Sequence, residues 1–294
     1  VTRPATAFTV AAIGIASYSA MDAMMKGLSI AHGAYSAVLW RSVAGVVLLA
    51  PIFFAQRKAF PARAAMLLHV ARGTLGGASV LLFFWGLVRV PMAQGVALTF
   101  LAPLIALFLA AVVLGETIAR GAILGSLVAS LGVLAIAGGQ VQAHASTATV
   151  MGSIAIVVAS ILYAGSLILL RRQAQVAEPL EVALFTSVVL SVLLLAGAPW
   201  FAGVPETTRL PEIFAAAALG SVSAVLLAWA YGRAEAQVLA PVEYSAFVWS
   251  AILGRLVFDE RVSAWTVGGA LLIIAGSLVA LRGKPMIPQT EAAA

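Results

Sequence analysis

The chain has no cysteine among its 294 residues. Disulfides, thiolate chemistry and cysteine-ligated metals are therefore excluded. Charge is scarce too. Only 10% of residues are Asp, Glu, Lys or Arg, against about 25% in a soluble domain, too few to coat a water-facing surface. Three histidines, His32, His69 and His144, are scattered without HExxH spacing. GxSxG and GxxxxGK[ST] are absent as well, so metal-hydrolase, serine-nucleophile and nucleotide-hydrolysis motifs are all missing. No enzyme activity and no cofactor or metal is expected. Basic runs stop at the dipeptides Arg57-Lys58 and Arg171-Arg172, so the formal charge of +6 does not indicate a nucleic-acid partner.

What is abundant is apolar: 63% of residues, with mean hydropathy +1.08. The solvent of such a chain is lipid. A helix needs about 20 mostly apolar residues to cross the hydrocarbon core, and only helices or closed barrels satisfy their backbone there. The stretches are long and lack period-2 alternation, so helices are predicted. There are ten, near 7–28, 35–55, 67–88, 92–114, 120–138, 150–170, 180–199, 211–231, 237–257 and 263–282. The first continues through Asp22 and is read as a span rather than a cleaved signal peptide. Connections are short and carry Pro, Gly or polar residues, and none is long enough for a separate soluble domain. Residues 285–294 read as a disordered tail.

Basic residues orient the bundle. With a cytoplasmic N-terminus, eleven fall at cytoplasmic ends and five (Lys26, Arg89, Arg209, Arg255, Arg261) at outer ends. Arg41 lies within span two, which accounts for all 17. Both termini are then cytoplasmic.

The chain also repeats itself. "LGETIARGAILGSLVASLG" (114–132) is echoed by "FDERVSAWTVGGALLIIAG" (258–276), pairing Glu116 with Glu260, Gly125 with Gly269 and Gly132 with Gly276 at an offset of 144. "FFWGLVRVPMAQ" (83–94) is echoed by "LLAWAYGRAEAQ" (226–237), and Tyr18 and Lys26 pair with Tyr163 and Arg171 at 145. Five spans per copy is an odd number, so the second copy enters from the other side. The expected fold is an all-α polytopic membrane protein of ten helices, an inverted 5+5 repeat around a central cavity. Its units are residues 1–142 and 143–284. Such repeats are common in secondary transporters, with the substrate site near the midplane between them.

These residues resemble a known family. "APVEYSAFVWSAILGRLVFDERVSAWTVGGALLIIAGSLVAL" (240–281) is similar to the last two helices of EamA-type members of the drug/metabolite transporter superfamily, through Pro241, Tyr244, Gly254, Glu260, Gly269 and Gly276. Pro103, Gly115, Glu116, Gly125 and Gly132 resemble the same unit in the first half, and Lys26 and Arg41 match basic residues of helices one and two. One departure is Asp259, where a Gly usually precedes the turn Glu. The resemblance implies export of small metabolites by alternating access. Within the superfamily it is nearest to the YddG-type exporters of aromatic and other amino acids.

Each polar residue in a span needs a reason, because a charge at the bilayer centre costs about 2.5–3.5 kcal/mol on insertion scales. Asp22 and Lys26 are four apart and share a face. They are read either as a polar patch on the cavity wall or as a self-neutralising pair with Lys26 snorkelling. Arg41, after Trp40, either grips a carboxylate through two parallel bonds or ties the backbone. Glu243 shares a face with Phe247, Ser250 and Gly254, facing either the cavity or water. Tyr18, Tyr163, Phe100 and Tyr244 form two related aromatic pairs that stack on substrate or pack the bundle. Trp85 and Trp229 suit interfacial anchoring. Glu116 and Glu260 suit capping the helix that follows each turn.

The substrate-binding candidates are thus Tyr18, Asp22, Trp40, Arg41, Phe100, Tyr163, Glu243 and Tyr244. The expected partners are lipid and a small molecule, an amino acid or related metabolite, with a monomer the simplest state. Without an ATPase motif the driving force is a gradient. Asp22 and Glu243 are the candidate proton carriers, though placement toward helix ends argues against an obligatory role. Other metabolites or drug-like cations are alternative cargo, and a channel or an intramembrane enzyme is a rival class.

Overall fold

The structure, a computed structural model, describes residues 4–56, 60–114, 120–173, 176–231 and 236–281. Among these it is helical with no strand: α1 (Pro4–His32), α2 (Ala34–Ala55), α3 (Arg63–Leu87), α4 (Met92–Thr99), α5 (Ala102–Leu114), α6 (Arg120–Gln142), α7 (Thr147–Gln173), α8 (Pro179–Phe201), α9 (Leu210–Tyr231), α10 (Ala236–Phe258) and α11 (Ala264–Leu281). Among the described residues, α1, α2, α3, α6, α7, α8 and α9 are long and apolar enough to cross a membrane. Apolar side chains also cover the outside. Leu124, Leu127, Leu131 and Leu134 stand on one side of α6, each more than half exposed, where lipid is the only solvent that would not penalise them.

The breakers act where the chain needs them. Gly33, with φ of 81°, separates α1 from α2, a left-handed position that suits glycine. Pro91 precedes α4, and Pro179 opens α8. One expected span is broken. Residues 92–114, read as a single helix, form α4 and α5. Pro103 is the cause: it lacks an N–H, and its ring would strike the carbonyl four residues back. That residue is Thr99, the last of α4. Phe247 stands 144 residues on, in α10, and that helix runs unbroken. The break leaves carbonyls to satisfy, and hydroxyls supply the donors. Ser160 donates to Leu98 O at 3.3 Å and Ser277 to Phe100 O at 3.4 Å.

Packing is reciprocal. α1 lies on α9 and α3 on α7, while α2 lies on α8 and α6 on α11. Ser79 Oγ donates to Ala159 O at 2.8 Å, and Ser223 Oγ donates to Gly14 O at 2.8 Å. In the α6–α11 seam the backbones touch. A β-carbon on Gly132 would stand 2.5 Å from Gly269 O, and one on Gly269 would stand 2.6 Å from Gly132 O. Small residues permit that approach.

Candidate functional site

Five helices enclose a cavity of ≈ 790 Å³, open solvent at its mouth included. Each helix contributes one face, set by the i, i+3, i+4 repeat. Ile15, Tyr18 and Asp22 come from α1; Ser79, Val80 and Phe83 from α3; Ala159, Ser160 and Tyr163 from α7; Glu243 and Ala246 from α10. Val96, Thr99 and Phe100 come from the end of α4 and the break behind it.

Asp22 and Glu243 bring carboxylates to this wall although they are only 4% and 2% exposed. Asp22 Oδ1 is buried without a hydrogen-bond partner among the described residues. Among the described residues no Lys, Arg or His lines the cavity, and the polar groups they bring to it are carboxylates and hydroxyls against aromatic and aliphatic walls. The acids are not at helix ends. Asp22 is the nineteenth residue of the 29 in α1, and Glu243 the eighth of the 23 in α10. Each therefore stands about a third of the way in from one end of its helix, between the end and the middle.

The other candidates divide. Tyr18, Tyr163 and Phe100 line the cavity. Tyr244 stands behind Phe100, with ring centroids 5.1 Å apart in an edge-to-face pair, and supports the wall rather than forming it. Trp40 is elsewhere: its Nε1 donates to Gly203 O at 2.9 Å, a tie to the loop after α8. Arg41, 9% exposed, borders a second cleft of ≈ 470 Å³, open solvent included. Val80 lines both cavities.

Lys26 and Glu260 depart from their sequence-based readings. Lys26 is 2% exposed and does not snorkel. Its Nζ donates to Val90 O at 2.7 Å and to Glu260 Oε1, and the Phe258 ring lies 5.3 Å away. The partner on its own helix face, Asp22, is left to the cavity. Glu260 Oε2 accepts the Met92 N–H at 2.7 Å. The carboxylate thus serves the start of α4, and α11 is capped by Ser263, whose Oγ accepts the Thr266 N–H at 3.0 Å. One knot joins α1, α4 and the α10–α11 turn. Glu116 lies outside the described residues.

Residues missed by sequence reasoning are mostly hydroxyls. Ser79, Thr99 and Ser160 line the cavity, yet serine and threonine carry no pattern that marks a wall. A polar knot of His69, Gln173 and Glu181 joins α3, α7 and α8, with His69 Nε2 2.9 Å from Glu181 Oε1 and its ring stacked 5.0 Å from Phe185. One turn further, Arg72 donates to Thr186 Oγ1 at 2.8 Å.

A bundle of apolar helices that buries carboxylates beside an internal cavity has the build of a multi-pass membrane transporter. The comparisons place it in a family. The EamA-like transporter family matches residues 5–138 and again residues 150–282, and the chain belongs to that family. It is 28% identical over 276 residues to the pseudopaline exporter CntI of Pseudomonas aeruginosa, covering 91% of this chain and 93% of that one. It is 25% identical over 267 residues to an S-adenosylmethionine uptake transporter of Rickettsia felis, covering 90% and 89%. A solved protein structure of 20% sequence identity shares the fold, with TM-score 0.61 over 95% of this chain and 98% of that one.

Proposed function

We propose that this protein is a secondary transporter that exports small amino-acid-like metabolites, aromatic ones included, across a bacterial inner membrane by alternating access. The observation that carries the reading is the cavity between the two halves, where Tyr18, Tyr163 and Phe100 stand beside Asp22 and Glu243. The aromatic rings suit the side chain of such a substrate and the carboxylates its amine. Export is the direction that the resemblance to EamA-type exporters implies.

Alternating access requires two halves, and several observations support an inverted 5+5 repeat with units 1–142 and 143–284. The family matches twice. The two serine bonds exchange under offsets of 144 (Ser79 to Ser223) and 145 (Gly14 to Ala159). The pairing of α1 with α9 exchanges with that of α7 with α3. On this reading α4 and α5 together make span four, since 23 residues rise roughly 34 Å, and α10 and α11 make spans nine and ten. The Lys26–Glu260 knot then closes the outer side, and both termini are cytoplasmic.

A second reading, cargo that is a different metabolite or an organic cation, is favoured by the two carboxylates of the cavity wall, which no basic side chain accompanies among the described residues. Counterflow in proteoliposomes separates the two. Vesicles loaded with an unlabelled amino acid are expected to accelerate entry of labelled phenylalanine without an ion gradient. No exchange with any amino acid, but exchange with an organic cation, would replace the first reading by the second. Repeating the measurement across a pH gradient tests proton coupling. A gradient effect lost in Asp22→Asn or Glu243→Gln would make that residue the carrier.

A further inference from the structure

The short helix α4 hangs between polar hooks. At its start, Glu260 Oε2 accepts the Met92 N–H at 2.7 Å. Lys26 Nζ donates to Val90 O at 2.7 Å and to Glu260 Oε1. At its end, Ser160 and Ser277 donate to Leu98 O and Phe100 O at 3.3 and 3.4 Å. Between the hooks α4 has eight residues, a rise of roughly 12 Å. Its last turn and the break behind it carry Val96, Thr99 and Phe100 to the cavity wall. The start of α4 is thus one end of a lever whose other end is the wall itself.

The helices that hold the starting hooks also line the cavity. Lys26 lies one turn beyond Asp22 on α1, toward the end of that helix, and Glu260 lies two residues past the end of α10. With Met92 at the start of α4, three cavity helices are tied together beyond the same end of the cavity.

The materials of this knot suit a joint that opens. The side chains of Lys26 and Glu260 are only 2% and 18% exposed. A buried ion pair gives little net stability over an apolar contact of similar shape, so packing alone does not call for one here. A polar contact offers exchange instead: when its partners separate, water takes over their bonds at small net cost. At the far end of α4 the backbone is jointed. Pro103 cannot give Thr99 O the N–H of a continuous helix, and Phe100 and Leu101 bridge α4 to α5 through i, i+3 bonds of 3.3 Å.

We propose that α4 moves during transport, hinged at Phe100–Leu101 and latched at its start by Lys26 and Glu260: the latch parts to open the cavity outward and re-forms to close it. The proposal rests on the transporter reading above and adds to it the part that gates the site. Lys26 and Glu260 act through α4 and are positioning residues.

The absence of cysteine allows a direct test. Val80 lines the cavity from α3, outside the latch, and Val80→Cys becomes the sole thiol of the full chain. It is labelled with a membrane-impermeant trimethylammonium methanethiosulfonate reagent in right-side-out and in inside-out membrane vesicles. Lys26→Met with Glu260→Gln removes both charges of the latch together, so neither is stranded. In that chain the labelling rate from outside should rise about tenfold or more, as one charge-assisted contact is worth at least that factor. The rate from the cytoplasmic face should not rise. Adding Pro103→Ala, which returns an N–H to the break, should bring the outside rate back toward that of the latched chain.

A merely structural pair would loosen the bundle and raise both rates alike. Equal rises at the two faces, or no rise at either, would overturn the latch and leave the transporter reading to its own counterflow test. A rise that Pro103→Ala does not reduce would overturn the hinge. A one-sided rise in a chain that exchanges no amino acid would uphold the latch and overturn only the amino-acid reading.

Discussion

The two cavities share a wall at Val80 and a lining of hydroxyls, and differ in the charged groups they hold. The first pairs aromatic rings with two carboxylates; the second pairs a guanidinium with hydroxyls and glycines. Groups of opposite charge, Asp22 and Arg41, line adjoining spaces. Lys26, one turn from Asp22 on α1, is the nearest reason the contrast survives. It would neutralise Asp22 in an isolated helix, as an i, i+4 pair. Glu260 takes it away, and the acidic cavity remains acidic.

The contrast should break most completely when that arrangement is removed. Lys26→Met leaves Glu260 without its cation, and losing one partner of a buried pair costs about 3–5 kcal/mol. Because Glu260 is partly exposed, the low end is expected, read as a lowered unfolding temperature in detergent. Recovery in Lys26→Met with Glu260→Gln would confirm the pair; an additive loss would deny it. Glu260→Gln alone frees Lys26 to turn to Asp22, and the affinity for amine-bearing cargo should fall.

Next in size is Asp22→Asn. Removing one charge-assisted contact is worth about 1.5–3 kcal/mol, so the affinity for amine-bearing cargo should fall at least tenfold. Cargo lacking the amine should be unaffected. An equal loss for both would make Asp22 structural.

Smaller effects follow for the rings. Tyr18→Ala and Tyr163→Ala should each weaken aromatic cargo by about 0.5–1.5 kcal/mol, leaving aliphatic cargo less affected. The smallest concern the repeat. Ser79→Ala and Ser223→Ala remove matched bonds, each worth about 1 kcal/mol, and thermal unfolding should report similar losses. Only the first should also alter transport, since Ser79 lines the cavity.

Much of this arrangement was legible in sequence. Apolar runs marked the helices, and the polar echoes pointed to Tyr18 and Tyr163. Cost arguments singled out Asp22, Arg41 and Glu243, because a charge in a span needs a function or a partner. What was not legible has physical causes. Asp22 and Lys26 looked like partners because local spacing is visible, whereas Lys26 and Glu260 are 234 residues apart and meet only through tertiary packing. Trp40 was grouped with Arg41 by adjacency, yet neighbours in a helix point about 100° apart, and it faces Gly203 instead. The break at Phe100 was readable from Pro103 alone, had the proline been counted from the carbonyl it displaces. Hydroxyl walls leave no periodic trace.

The α6–α11 seam has a mechanical consequence. Two helices whose glycines meet backbone to backbone have little soft side chain between them to compress or repack. They behave as one stiff beam, and any change of shape has to be absorbed by joints elsewhere. Spin labels on the lipid-facing sides of α6 and α11 should therefore report one unchanging distance through the transport cycle. The pair supplies a fixed ruler inside the molecule from which the travel of the other helices can be measured.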